Sequence, residues 1–205
     1  MLIFWEQRLV FLATPKAGST AIESALEPLS NLAVQRPAAL KHTNFAAYRA
    51  FIAPWLTAVT GERFTTVALM REPLDWLRSW YRFKLRDDET DPDHAMKGVN
   101  FEAFARSYIE QGGPTADLIS QVDFLTDGGA RADVIFRYDD IHGFATFMEE
   151  QLDCVLSLPR LNVPPTADVA LEAEAEALLR RLMERDTAFY RALPEAQKGV
   201  TRPEG

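Results

Sequence analysis

The chain has 205 residues, 47% of them apolar and 25% charged, with 22 basic against 30 acidic side chains and a net charge of −8. That is enough chain to bury one sizeable core, and the composition is that of a globular protein rather than a disordered one. The acidic balance speaks against a general nucleic-acid binder, no apolar run approaches the roughly 18 residues of a membrane span, and the lone Cys154 excludes an internal disulfide and Cys-based zinc clusters.

In chain order, Leu9 to Ala13 is a short apolar run stopped by Thr14-Pro15, which predicts a buried strand. Ile22, Ala25, Leu26 and Leu29 then recur at helical spacing, predicting a helix from Gly18 to Leu29. Residues 31–44, with Pro37, read as a loop, and a helix is expected from Phe45 to Val59, stopped at Gly61. Phe64 to Met70 is a second strand, rich in β-branched residues. Pro73 suits the first turn of a helix running to about Arg86. Residues 87–99 read as an acidic surface loop or lid. Helices are expected at 101–111 and 114–121, a third strand over Asp133 to Tyr138 and a helix from Ile141 to Leu152. A proline-rich connection from Leu158 to Pro165 precedes one long helix from about Ala167 to Leu193.

Strands separated by helices imply βαβ units: one α/β domain spanning 1–205, with a central parallel sheet flanked by helices on both faces. In such sheets ligands bind outside the carboxyl ends of the strands. Attention therefore falls on the turns after residues 13 and 70.

The first turn reads Thr14-Pro15-Lys16-Ala17-Gly18-Ser19-Thr20. A tight strand-to-helix turn with Gly offers free backbone N–H groups to phosphate or sulfate, Lys16 adds a positive charge, and Ser19 and Thr20 add hydroxyl donors. The competing reading is an ordinary capped helix with Ser19 or Thr20 as N-cap and Lys16 solvated. No Gly-Lys-Ser/Thr occurs, so this is not a Walker A loop, which counts against a magnesium-dependent kinase or ATPase.

The second turn reads Arg71-Glu72-Pro73, with Ser79 eight residues after the Arg. Two helical turns take about 7.2 residues, which brings Ser79 to the side of the helix nearest Arg71. The Arg can grip a phosphate bidentately while Ser79 adds a hydrogen bond. The competing reading is a solvated face with Asp75–Arg78 or Asp75–Arg82 pairs. Trp76 and Trp80 read as core rather than as a nucleobase platform.

Taken together, the two turns resemble the sulfotransferases that use 3′-phosphoadenosine-5′-phosphosulfate (PAPS), in particular the carbohydrate-type superfamily with its small bacterial members. There, Pro-Lys-x-Gly-Ser/Thr-Thr binds the 5′-phosphosulfate, and Pro15-Lys16-Ala17-Gly18-Ser19-Thr20 matches it. The family's Arg-x-Pro with a Ser eight residues on binds the 3′-phosphate, and Arg71, Pro73 and Ser79 match, followed by Tyr81; Glu72 departs from the Asn often found there. Gln121 to Leu125, Ile135 to Ile141, Leu158 to Val163 and Asp186 to Tyr190 are similar to further family landmarks, so the resemblance runs through most of the chain in order.

The lone cysteine and the lack of a signal-peptide core make a cytoplasmic, metal-free protein the default expectation, and the resemblance implies an enzyme with a P-loop-like three-layer fold. It would move a sulfuryl group from PAPS to an acceptor hydroxyl or amine, release adenosine 3′,5′-bisphosphate and need no metal. Lys16 would neutralise charge on the leaving phosphate. Family members use His or Glu as the base; His42 is the first candidate and Glu23 the second, though Glu23 stands one position off the expected spacing, where Ser24 lies. His94 and His142 read as structural. Asp186 falls on the apolar stripe of the last helix and needs a partner, with Arg137 the expected one. The acceptor is expected to be a small molecule or neutral glycan, because the run Asp87-Asp88-Glu89 with Asp91 and Asp93 disfavours anionic polymers. The alternatives are a P-loop kinase acting on a nucleotide or small molecule, and a relative that binds nucleotide without turnover.

Overall fold

The computed structural model describes residues 1–87, 96, 98–114, 118–158 and 167–194. A five-stranded sheet lies at the centre, in the order β3 (Leu32–Ala33), β1 (Leu2–Phe4), β2 (Leu9–Leu12), β4 (Thr65–Met70) and β7 (Val134–Arg137). A separate two-stranded ribbon pairs β5 (Thr126–Asp127) with β6 (Ala130–Arg131). β2 runs parallel to β4, and β4 parallel to β7; Leu12 faces Ala68 and Met70 faces Arg137. β1 is antiparallel to both β2 and β3, so the sheet is mostly parallel rather than wholly so. The expected all-parallel sheet missed β1 because it is only three residues long. It is a hairpin arm that turns back through Arg8, whose φ is 53°.

The strand residues alternate between two cores. Val10, Leu12, Ala68, Met70 and Ile135 face one side. There they meet α3 (Phe45–Ala47), a π-helical turn (Tyr48–Ile52), α4 (Ala53–Thr60), α7 (Gln121–Leu125) and α10 (Glu184–Ala192). Leu9, Phe11, Val67, Leu69, Val134 and Phe136 face the other side, against α1 (Ser19–Leu26) and α8 (Ile141–Leu152). Helices therefore cover both faces. A third cluster packs α5 (Pro73–Asp87), α6 (Phe101–Glu110) and α9 (Ala173–Leu182) together through Leu77, Tyr81, Phe101, Ala105 and Leu179.

Several expected boundaries shift, each for a local reason. The helix from Gly18 ends at Leu26 and passes into a 3-10 turn at Glu27–Leu29, with Pro28 in its first turn. The supposed loop 31–44 contains β3 and α2 (Ala38–Lys41). The helix over 45–59 is interrupted by the π-helical turn and closes at Thr60, with Gly61 in the left-handed region at φ 74°. No helix covers 118–120; α7 starts only after Ser120, whose hydroxyl accepts from the N–H of Asp123. The single long helix over 167–193 is two helices that begin at Ala173 and break at Met183. The break lets Leu179 face the third cluster while Tyr190 turns to the sheet. Residues 88–95 and 97 of the acidic loop, with His94, and 159–166 of the proline-rich connection lie outside the described residues.

Candidate functional site

The turns after β2, β4 and β7 converge at the carboxyl ends of three neighbouring parallel strands. In the first, the N–H of Ala17 donates to the carbonyl of Thr14 at 3.4 Å, and Lys16 sits at φ 63°. Gly18 follows at φ 78° as the N-cap of α1, with no side-chain cap. Neither Ser19 nor Thr20 is the N-cap, contrary to the alternative reading of this turn. Among the described residues no side chain caps the first N–H groups of α1, which is the setting that favours an anion. The Thr14 hydroxyl, in the same turn, is buried with no hydrogen-bond partner among the described residues.

Gly18 is required by space as well as by φ. A Cβ there would stand 2.6 Å from Cε2 of Tyr138, the residue that leaves the end of β7. The same Tyr138 ring lies under the Arg71 guanidinium, 4.7 Å from Cζ to the ring centroid.

Arg71 is held from several sides. Its backbone N–H donates to Gln121 Oε1 at 2.9 Å and its carbonyl accepts from Gln121 Nε2 at 2.8 Å. Its Nε donates to Asp75 at 2.6 Å, and Nη1 donates to the carbonyl of Lys16 at 3.1 Å. Among the described residues Asp75 pairs with Arg71 and not with Arg78 or Arg82. Nη2 of Arg71 has no hydrogen-bond partner among the described residues. Glu72, the departure from the family pattern, caps α5 with one oxygen by accepting from the N–H of Asp75 at 2.7 Å, while the other lies 4.0 Å from Arg180 Nη1.

The Lys16 ammonium lies over α5, 3.6 Å from the Phe83 ring centroid and 5.2 Å from that of Trp80. Asp75, Ser79 and Phe83 follow one another at i, i+4 spacing on that helix. Ser79 thus stands between the residue Arg71 touches and a residue Lys16 touches. Trp76 is core, as expected, whereas Trp80 is half-buried beside Lys16.

His42 follows α2 and its Nδ1 lies 2.6 Å from the carbonyl of Ala13, the residue before the first turn. A carbonyl only accepts, so Nδ1 carries the proton and Nε2 keeps its lone pair. Burial pushes the His42 pKa below the usual 6.5, against the contrary pull of the Ala13 hydrogen bond. Glu23 has a different setting. Its side chain is 3% exposed and lies between the Met1 ammonium at 3.1 Å and Lys41 Nζ at 2.9 Å. Both carboxylate oxygens face cations, and the pair with Lys41 ties α1 to the segment that carries His42.

Asp186 is not paired with Arg137. Its carboxylate accepts from the Ser120 hydroxyl at 2.7 Å and from the N–H of Val122 at 3.3 Å, while Arg137 donates to the carbonyl of Arg191. Asp186 therefore braces α7, from which Gln121 clamps Arg71.

Two residues of this constellation, Gln121 and Tyr138, enter the sequence reading as landmarks of the resemblance and not as site residues. Tyr138 had a direct signal: the carboxyl-end argument that singles out the turns after 13 and 70 applies equally to the end of β7. Among the described residues no three His, Cys, Asp or Glu side chains are grouped to hold a metal ion, and no helix is long and apolar enough to cross a membrane.

No protein-family model, curated protein or solved structure matches the chain.

Proposed function

We propose that the chain is a sulfotransferase that moves a sulfuryl group from PAPS to an acceptor hydroxyl or amine and releases adenosine 3′,5′-bisphosphate. The observation that carries the reading is the Arg71–Lys16 link. It fixes two cationic turns side by side at the ends of adjacent parallel strands, with Ser79 between their contacts on α5. A donor with anionic groups at both its 5′ and 3′ ends needs two such turns, and the uncapped start of α1, the open Nη2 of Arg71 and the unpartnered Thr14 hydroxyl fit that need.

Lys16, Ala17, Gly18, Ser19 and Thr20 hold the 5′-phosphosulfate through backbone N–H groups, two hydroxyls and one ammonium. Arg71 and Ser79 hold the 3′-phosphate. His42, protonated on Nδ1, accepts the acceptor's proton at Nε2 as the acceptor oxygen or nitrogen bonds to sulfur. The bond from sulfur to the phosphate oxygen breaks, and Lys16 meets the charge that builds on that oxygen. Glu23 is assigned a positioning role through Lys41 instead of the base role. The acceptor class is a small molecule or neutral glycan. The alternative of a P-loop kinase is left without its lysine placement. Incubation of the protein with sulfur-labelled PAPS and fractionated small-molecule extracts tests the reading: label moves to an acceptor with the wild type and not with Lys16→Ala.

A further inference from the structure

At the opposite, amino end of the sheet an open cleft of about 650 Å³ lies between α4 and the starts of β4 and β7. Five residue steps along the strand separate Thr66 from Arg71, about 16.5 Å at 3.3 Å each, so the cleft is remote from the donor turns. Its walls are largely apolar, with Phe45, Tyr48, Pro54 and Phe64 as the main surfaces and Arg63 and Asp133 as the main charges. That size and balance are those of small-molecule sites.

The charges cancel within the wall. Arg63 is paired with Asp133, whose other oxygen accepts from the N–H and hydroxyl of Thr66 at 2.7 and 2.6 Å. Arg49, also on the wall, is paired with Asp127 at 2.7 Å. Each charge on the wall thus already faces an opposite charge, so the cleft presents no unpaired charge that would select an ion.

One polar group is left over. Tyr48 is 3% exposed as a residue and lines the cleft; its hydroxyl makes no hydrogen bond among the described residues and is not a buried atom, so it opens to the cleft. A phenol hydroxyl open to an apolar cleft is placed to donate to a bound molecule. Burial and the neighbouring Asp133 push its pKa up to about 12, so it remains a donor throughout the neutral range. Tyr48 also opens the π-helical turn Tyr48–Ile52, an irregularity that concentrates at functional sites.

We infer that this cleft is a second binding site, which takes a small uncharged molecule with a flat apolar body and one hydrogen-bond acceptor received by the Tyr48 hydroxyl. The inference rests on no part of the donor reading. The test is a protein-observed NMR titration of the full chain with coumarin, a neutral bicycle bearing a carbonyl, with naphthalene, which lacks one, and with 2-naphthoate, which is charged. Coumarin is expected to shift amides of 45–66 and 133 while those of Lys16 and Arg71 stay. Tyr48→Phe keeps the ring and should weaken coumarin about tenfold, the scale of one hydrogen bond, while naphthalene changes less than twofold. Ala58→Trp, which fills the cleft, should remove both. Absence of shifts at the cleft, equal coumarin affinity in Tyr48→Phe, or tighter binding of 2-naphthoate than of coumarin would overturn the inference.

Discussion

The Nη1 of Arg71 donates to the main-chain carbonyl of Lys16 at 3.1 Å, so the guanidinium that ends one strand braces the turn that ends its neighbour. With Nε on Asp75 and the ring of Tyr138 beneath, the guanidinium plane is fixed before any ligand arrives. Preorganisation of this kind removes an ordering cost that a free arginine would bring to binding.

Arg71→Ala is expected to weaken adenosine 3′,5′-bisphosphate by about 1.5–3 kcal/mol, the scale of charge-assisted hydrogen bonds. Adenosine 5′-phosphosulfate, which lacks the 3′-phosphate, should lose much less, limited to the lost brace on Lys16. Equal losses for the two ligands would contradict the assignment of Arg71 to the 3′-phosphate.

Gly18→Ala combines two penalties. The left-handed φ of 78° costs a residue with a Cβ about 1 kcal/mol or more. The clash at 2.6 Å with Tyr138 adds to it. Denaturant melts should show a loss of about 2 kcal/mol or more in the single variant. In a Tyr138→Ala background the same change should cost less, because only the backbone term survives. A loss of equal size in both backgrounds would show that the ring does not set the space.

How much of this was legible in the sequence differs by element. The turns at Lys16 and Arg71 carry their chemistry in contiguous residues, and strand ends followed by helix starts announce where they meet. The strand order was not written locally: β1 is three residues long, and its pairing with β2 depends on a hairpin through Arg8, an arginine in the left-handed region where no Gly or Asn signals a turn. Glu23 illustrates the same limit. Its position on α1 was readable, but the two cations that enclose it come from Met1 and from Lys41, 22 and 18 residues away along the chain. Asp186 was correctly read as a carboxylate in need of a partner, yet the partners are a hydroxyl and a backbone N–H on α7, which no spacing rule connects to it.

His42→Ala should lower kcat by about 10²–10⁴-fold with donor affinity nearly intact. Burial depresses the His42 pKa, so the neutral base survives to lower pH than a free histidine and the acidic limb of kcat should lie below pH 6.5. The same depression makes the unfolded chain the better proton binder there. Its stabilising contribution is thus present above pH 6.5 and is lost as pH falls through the folded-state value. In His42→Gln both the acidic limb and this part of the stability slope should disappear. Glu23→Gln should instead lower stability with a smaller effect on kcat. A near-normal rate in His42→Ala would shift the base role elsewhere.

Lys16→Ala should cost kcat about 10²-fold or more, exceeding its cost to donor affinity, because charge on the leaving oxygen is larger in the transition state than before it. Lys16→Arg should recover binding better than rate, since a guanidinium is a broad fork and not a compact point charge. Single-turnover transfer at saturating PAPS checks this; a wild-type rate in Lys16→Ala would reduce the lysine to an anchor.

The most direct measurement is calorimetric titration of the unmodified protein with adenosine 3′,5′-bisphosphate and, separately, with ATP and Mg²⁺. The proposed donor reading predicts saturable one-to-one binding of the bisphosphate without added metal, and binding of ATP with Mg²⁺ that is at least tenfold weaker. Tighter binding of ATP with Mg²⁺, or no heat with the bisphosphate, would contradict the account.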